Sequence, residues 1–237
     1  MENKTKYNIA KGNDSKSYDE YFMLQKENMN NKKRVISRVE KGLQILGKMR
    51  GKSLSIGILS LTEAELLEKA GFENTICDIS PKAIEYAHSR GFKAIECDIV
   101  NSIPPGKYDF VFCFEVLEHL TNPLKALDNL KSTLNTNGVL IISVPNEFHF
   151  FRRIGILFGI KSLMFGGHDW HHLRFFNSYY ARRLFASSNL KILNTTYTSV
   201  IPLHNKILIK LGEILTSLSP SLFSMSIILT LKKYDTE

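Results

Sequence analysis

The residues best placed to do chemistry fall in one short run, Glu115-Val116-Leu117-Glu118-His119. Two carboxylates three positions apart, with an imidazole beside the second, converge on one rim if the run opens a helix. Carboxylate oxygens and imidazole nitrogens are ligands for hard-to-borderline divalent ions. A later group, His168, Asp169, His171 and His172, offers a further ligand. Without a metal, the imidazoles can act as a general base, since histidine changes charge near neutral pH. The acids can equally cap a helix.

Those side chains need elements to position them. Short apolar runs at 53–58, 74–79, 92–99, 108–116 and 139–146 read as strands. Between them lie helical segments: 62–71, closed by Gly71; 80–91, with Ser80 as cap and Pro81 in first position; and 122–138, running to Asn137-Gly138. This alternation predicts a parallel sheet with helices on both faces. Upstream, Phe22, Leu24, Val35, Val39, Leu43 and Leu46 recur at helical spacing and predict one or two helices fading out near Gly47. Downstream, a helix is expected over 178–188, a strand near 190–198, a helix near 204–217 and a last strand near 225–233. The chain thus reads as a flexible segment 1–18 and a single domain 19–237, with a cap inserted at about 147–177.

Open parallel sheets bind ligands outside the carboxyl ends of their strands. Three successive strands finish in Asp78, Asp98 and Glu115. Asp78 follows the Gly57 turn at about the 20-residue interval that lets a carboxylate accept both ribose hydroxyls. The competing role for such an acid is to cap the next turn. Cys77 and Cys97 precede the two aspartates, which places the thiols inside the sheet as small apolar residues. Three cysteines without a C-x-x-C pair argue against a disulfide framework or a zinc site.

The formal charge of +8 favours an anionic partner, or else a lysine-rich solvated surface. No dense basic stripe appears, so nucleic acid is not the favoured partner. Residues 148–165 are apolar, aromatic and basic, with Arg152, Arg153 and Lys161. They can form a helical cap, a lid over an apolar or lipid-linked acceptor, or a peripheral membrane contact. The first residues carry no apolar run, and no stretch reaches the ~20 apolar residues of a membrane span, so a cytoplasmic protein is expected. The pattern specifies no oligomeric state.

Segment 53–146 resembles the class I S-adenosylmethionine-dependent methyltransferases. The resemblance rests on SIG (55–57), GFENTICDISPKAIEYAHSRG (71–91), ECDI (96–99), YDFVFCFEVLEHL (108–120) and LIISVPN (140–146), with HLRFFN (172–177) further on. It implies a Rossmann-like α/β fold: a seven-stranded sheet, mostly parallel with an antiparallel last strand. It implies S-adenosylmethionine as cofactor, with its ribose on Asp78, its adenine amino group on Asp98, and Ile79 and Ile99 beside the adenine. Gly57, Phe114 and Glu115 would then border the methionine end. The E-V-L-E-H run is also similar to that of small-RNA 2′-O-methyltransferases, where it holds a divalent ion with a later His, and to that of ubiquinone-pathway O-methyltransferases. Carried over, the metal ligands would be Glu115, Glu118, His119 and His172, the last chosen for its place before Phe175-Phe176. The catalytic groups would be His119, His172 and Glu115.

The first loop departs from the family. Ser55 stands where an acid is usual, and Leu59 and Leu61 stand where later glycines are usual. Glycine lets a backbone approach a ligand closely, so the leucines predict a crowded loop or a different path. Two functions follow. One is O-methylation of a small-molecule, glycan or lipid-linked hydroxyl. The other is a non-catalytic domain that binds a ligand or partner. A nicotinamide dehydrogenase is disfavoured, because Gly57 alone is poor support for a dinucleotide loop.

Overall fold

The computed structural model describes residues 18–19, 22–23, 29–58, 61–165, 172–200 and 206–234. Leu59, His168, Asp169, His171 and nearly all of the segment 1–18 lie outside the described residues. The elements are α1 (Met29–Leu46), β1 (Lys52–Ile56), α2 (Thr62–Lys69), β2 (Glu73–Asp78), α3 (Pro81–Ser89), β3 (Ala94–Glu96) and β4 (Tyr108–Phe114). After a 3₁₀ turn at Leu117–His119 come α4 (Pro123–Thr133), β5 (Leu134–Pro145), α5 (Phe150–Phe158) and α6 (Lys161–Phe165). The chain continues through α7 (Ser178–Ser187), β6 (Leu190–Ser199), α8 (Lys206–Leu218), α9 (Pro220–Phe223) and β7 (Ser224–Lys233).

Seven strands form one sheet in the order β3-β2-β1-β4-β5-β7-β6. The pairs among β1 to β5 are parallel, and β7 runs antiparallel to both β5 and β6. Strand order reverses between β1 and β4, which opens a crevice at their carboxyl ends.

Alternating side chains sort the core into two layers. Leu54, Val111, Leu140 and Ile142 face α4 and α7, meeting Leu127, Leu130 and Phe185. Phe110, Phe112, Phe114 and Ile141 face α1 and α2, meeting Val35, Val39 and Leu67. Phe112 is enclosed by two rings, Phe72 edge-on at 5.5 Å and Phe114 at 6.0 Å. The helices on both faces thus follow from strands that are apolar on both sides.

Several local signals act as the sequence predicts. Ser80 Oγ accepts from the Ala83 amide at 3.1 Å and caps α3, with Pro81 in the first turn. Helix α1 gives way at Gly47, whose φ of 58° only a glycine adopts freely. Cys77, Cys97 and Cys113 are free and buried.

Three boundaries differ. The helix expected to reach Gly138 stops at Thr133, and Leu134 opens a 12-residue strand. Leu134 is buried and pairs with Tyr108, while Asn135 Nδ2 donates to Asp109 Oδ1 at 2.7 Å. These tertiary contacts outweigh the weak helix propensity of Asn-Thr-Asn-Gly. The strand expected over 92–99 shrinks to Ala94–Glu96, because Asp98 turns the chain. The run from Glu115 does not open a helix. Glu115 is left-handed at φ 55°, and only the 3₁₀ turn follows.

Candidate functional site

Gly57 ends β1 with φ 82°, and its amide donates to the Cys77 carbonyl at 2.8 Å. A Cβ here would stand 3.0 Å from Val116 Cγ2, so the loop passes closely over the end of β4. The next amide, Ile58, donates to Asp78 Oδ2 at 2.5 Å, and the Ser80 amide donates to Oδ1 at 2.7 Å. Asp78 therefore bridges the first loop and its own strand end. Burial pushes its carboxyl up to about 6, against the opposing pull of the backbone amides.

The altered first loop resolves in part. Leu61 is buried with Ile58, Ala64 and Ile76, so its side chain packs into the core and does not crowd the crevice. Ser55 is also buried and accepts from Asn74 Nδ2 at 3.0 Å. It takes no part in the rim.

Asp98 accepts from the Val100 amide at 2.8 Å and from Asn101 Nδ2 at 2.7 Å, which is the turn-capping role. Ile79 is half-buried at the rim beside Asp78. Ile99 and Phe114, expected beside the cofactor, send their side chains into the core clusters. Apolar residues next to a strand end are drawn to whichever side removes them from water.

Glu115 turns toward β5 and α1. Its Oε1 accepts from Ser143 Oγ at 2.8 Å, and its Oε2 lies 3.8 Å from Arg38 Nη1. Arg38 Nε is buried without a hydrogen-bond partner, and so is Glu63 Oε1. Burial pushes the Glu63 carboxyl up to about 8, with the Arg38 charge acting the other way. One cation and two acids, from α1, α2 and the end of β4, thus share a buried polar pocket. No local motif marks Arg38 or Glu63, since only the tertiary fold brings them together.

A second centre lies beyond Glu115. Glu118, His119 and His172 each present a ligand atom within 4.8 Å of the others, and the two imidazole rings are 4.8 Å apart. Both Glu118 carboxylate oxygens are buried without a hydrogen-bond partner, and His119 Nε2 is 3.9 Å from Oε1. Burial, and then the Glu115 charge, raise the Glu118 carboxyl well above the usual range. The Glu118 carbonyl accepts from the Leu173 and Arg174 amides at 2.8 and 3.2 Å, which holds the His172 segment against the 3₁₀ turn. Glu115 lies outside this group, because its left-handed backbone commits the carboxylate to Ser143 and Arg38.

His172 Nδ1 is 2.6 Å from Glu147 Oε1, and Arg152 of α5 pairs with Glu147 Oε2. All of these groups lie at the carboxyl edge. The sequence reading missed Glu147 and took Arg152 only as one of the cations of the 148–165 cap. The signal for Glu147 was its place directly after the Pro145-Asn146 strand end, where the other rim acids also sit.

The fold and sequence both have known counterparts. The chain is 24% identical over 147 residues to the ubiquinone biosynthesis O-methyltransferase of Bordetella avium, covering 57% of this chain and 61% of that one. It thus spans about three fifths of that relative's length. The solved structure of a SAM-dependent methyltransferase from Archaeoglobus fulgidus superposes with a TM-score of 0.63 at 17% identity, over 91% of this chain and 100% of the other. Magnesium protoporphyrin IX methyltransferase from Synechocystis, solved with bound SAH, gives 0.55 at 18% identity, over 86% and 83%. The methyltransferase domain family matches residues 33–195, most of the chain, and the chain belongs to that family.

Proposed function

We propose that this chain transfers a methyl group from S-adenosylmethionine to a hydroxyl acceptor that is a small molecule or is glycan- or lipid-linked. The Glu147–His172 pair, at 2.6 Å on the rim, carries the reading. The O-methyltransferase names of the sequence relatives favour oxygen as the acceptor atom.

The residues present fit the cofactor. Asp78 offers an anionic acceptor for the ribose hydroxyls beside the close-passing Gly57 loop. The unpartnered Arg38 Nε and Glu63 Oε1, beside Glu115, suit the carboxylate and ammonium of an amino-acid end. S-adenosylmethionine, when bound, supplies a methyl group on a sulfonium. The protein's part is to orient the acceptor and remove its proton. Glu147 accepts the Nδ1–H of His172 and fixes the tautomer, which leaves Nε2 free of a proton and able to take the hydroxyl proton. His119, ring to ring with His172, narrows the approach. Alignment and desolvation supply most of the remaining rate.

Calorimetric titration with S-adenosylmethionine tests the reading, followed by radiolabelled methyl transfer to a panel of phenols, sugars and prenylated phenols. We expect saturable binding and label on a hydroxyl. No heat at millimolar cofactor would refute it and favour a non-catalytic domain.

A second reading replaces the base role of His172: the two bare oxygens of Glu118 favour a divalent cation held by Glu118, His119 and His172. Bound there, a cation would act as a Lewis acid on the acceptor hydroxyl. Metal analysis of the purified protein should then find about one equivalent, lost in Glu118→Gln. Full activity after chelation, with Glu118→Gln equally active, would rule the cation out.

A further inference from the structure

We infer that the rim formed by α5 and α8 seats this protein on the surface of an anionic lipid bilayer, with the candidate site at the membrane-facing edge. Segment α5 leaves the sheet at the carboxyl end of β5. Segments α8 and α9 leave it at the carboxyl end of β6, which runs in the same direction because both strands are antiparallel to β7. The two insertions meet. Phe150 stacks on Phe223 at 5.8 Å, and Asn146 Nδ2 donates to the Ser221 and Ser224 carbonyls at 3.1 Å.

Both insertions turn large apolar side chains outward. On α5 these are Ile156, Leu157 and Phe158, the last two 73% and 67% exposed. On α8 they are Ile207, Ile214 and Leu218, with Ile207 at 80% and Leu218 at 76%. Scattered exposed leucines need no explanation, but two helices with such faces that leave the same edge of the sheet do.

The charge selects the occupant. Residues 148–165 hold no acid; Arg152 is buried against Glu147, but Arg153 and Lys161 are exposed, α8 carries Lys210 beside one acid, Glu213, and the chain has a net charge of +8. A second copy docked by the same face would set these cations against themselves. An anionic lipid surface complements them. Among the described residues no helix is long and apolar enough to cross a membrane. Helix α5 has nine residues, about 14 Å at 1.5 Å each, which suits lying in the interface.

The seat is joined to the site. The buried face of α5 carries Arg152, whose partner Glu147 holds His172. Seating the outer face therefore steadies the imidazole and brings a lipid-linked hydroxyl to it. This last step rests on the proposed methyl transfer, whereas the seating does not.

Co-sedimentation of the full chain with vesicles tests it, using phosphatidylcholine mixed with phosphatidylglycerol against phosphatidylcholine alone. The chain should pellet with the anionic vesicles and be released as salt rises. Leu157→Glu with Phe158→Glu, and separately Ile207→Glu with Leu218→Glu, should each weaken binding about tenfold or more. Their far-ultraviolet circular dichroism and thermal midpoint should match the parent, which shows intact folding. An unmodified chain that ignores anionic vesicles, double variants that pellet as well as the parent, or a dimer in ultracentrifugation that the same substitutions dissolve would overturn it. No acceptor enters the assay, so its failure is distinct from failure of the methyl-transfer reading.

Discussion

Replacing His172 with alanine is expected to slow methyl transfer by on the order of 10²–10⁴-fold, the usual contribution of a positioned general base. Cofactor affinity should stay within a factor of about two, because His172 sits with Glu118 and His119, away from Asp78. Single-turnover transfer with saturating cofactor separates the two effects. Glu147→Gln should cost less, since the amide still accepts from Nδ1, but it should move the pH–rate profile. That shift marks a positioning role, which a merely structural residue would not produce. Glu147→Ala is a poorer probe, because it also breaks the buried ion pair with Arg152, which is 6% exposed, and so destabilises the fold. Wild-type turnover in His172→Ala would end the base assignment.

Asp78→Ala is expected to weaken S-adenosylmethionine binding by on the order of 10²–10⁴-fold. Two hydrogen bonds from ribose hydroxyls to a charged acceptor contribute about 1.5–3 kcal/mol each, and each 1.4 kcal/mol is tenfold. The variant also releases the Ile58 and Ser80 amides, so the loop over the crevice loosens. The pH dependence has a definite sign. Burial lifts the carboxyl from 3.8 to about 6, so the folded chain binds the proton more tightly than the unfolded one. This group alone therefore favours the fold most at low pH, and that contribution is lost as pH rises through about 6. Cofactor binding runs the other way, because the ribose needs the ionised acceptor. Affinity measured by calorimetry should be flat above pH 7 and fall toward tenfold per unit below about 6. Asp78→Asn should flatten that limb. An unchanged limb in Asp78→Asn would assign the titration to another group.

Much of the frame was legible in the chain because it rests on local rules. Ser80-Pro81 marked a helix start, and Gly47 marked a helix end. The alternation of runs gave the parallel sheet, while the reversed last strand followed only from the family resemblance. Local rules failed where a distant contact decided the outcome. Leu134 reads as helix by its neighbours and becomes strand because Tyr108 pairs with it. Glu115 reads as a strand end that leads into a helix, and is turned aside by Ser143 and Arg38. The same cause hid half of the candidate site. Glu118 and His119 announce themselves by type and spacing, and His172 by the family resemblance. Arg38, Glu63 and Glu147 matter only through neighbours far along the chain, and Arg38, Glu63 and Arg152 lie on helices whose sequence periodicity reports packing alone.

The pairing of Arg152 with Glu147 has a bearing on how this scaffold can be recombined. Glu147 and His172 stand at the two ends of the inserted cap, and Arg152 lies inside it. Grafting a foreign helix in place of Phe150–Phe158 alone would carry away the guanidinium and leave its carboxylate behind. Exchanging 147–177 as one block moves all three partners together, so the natural unit for exchange is the whole segment, cut at the strand end and at the Asn177 cap of α7.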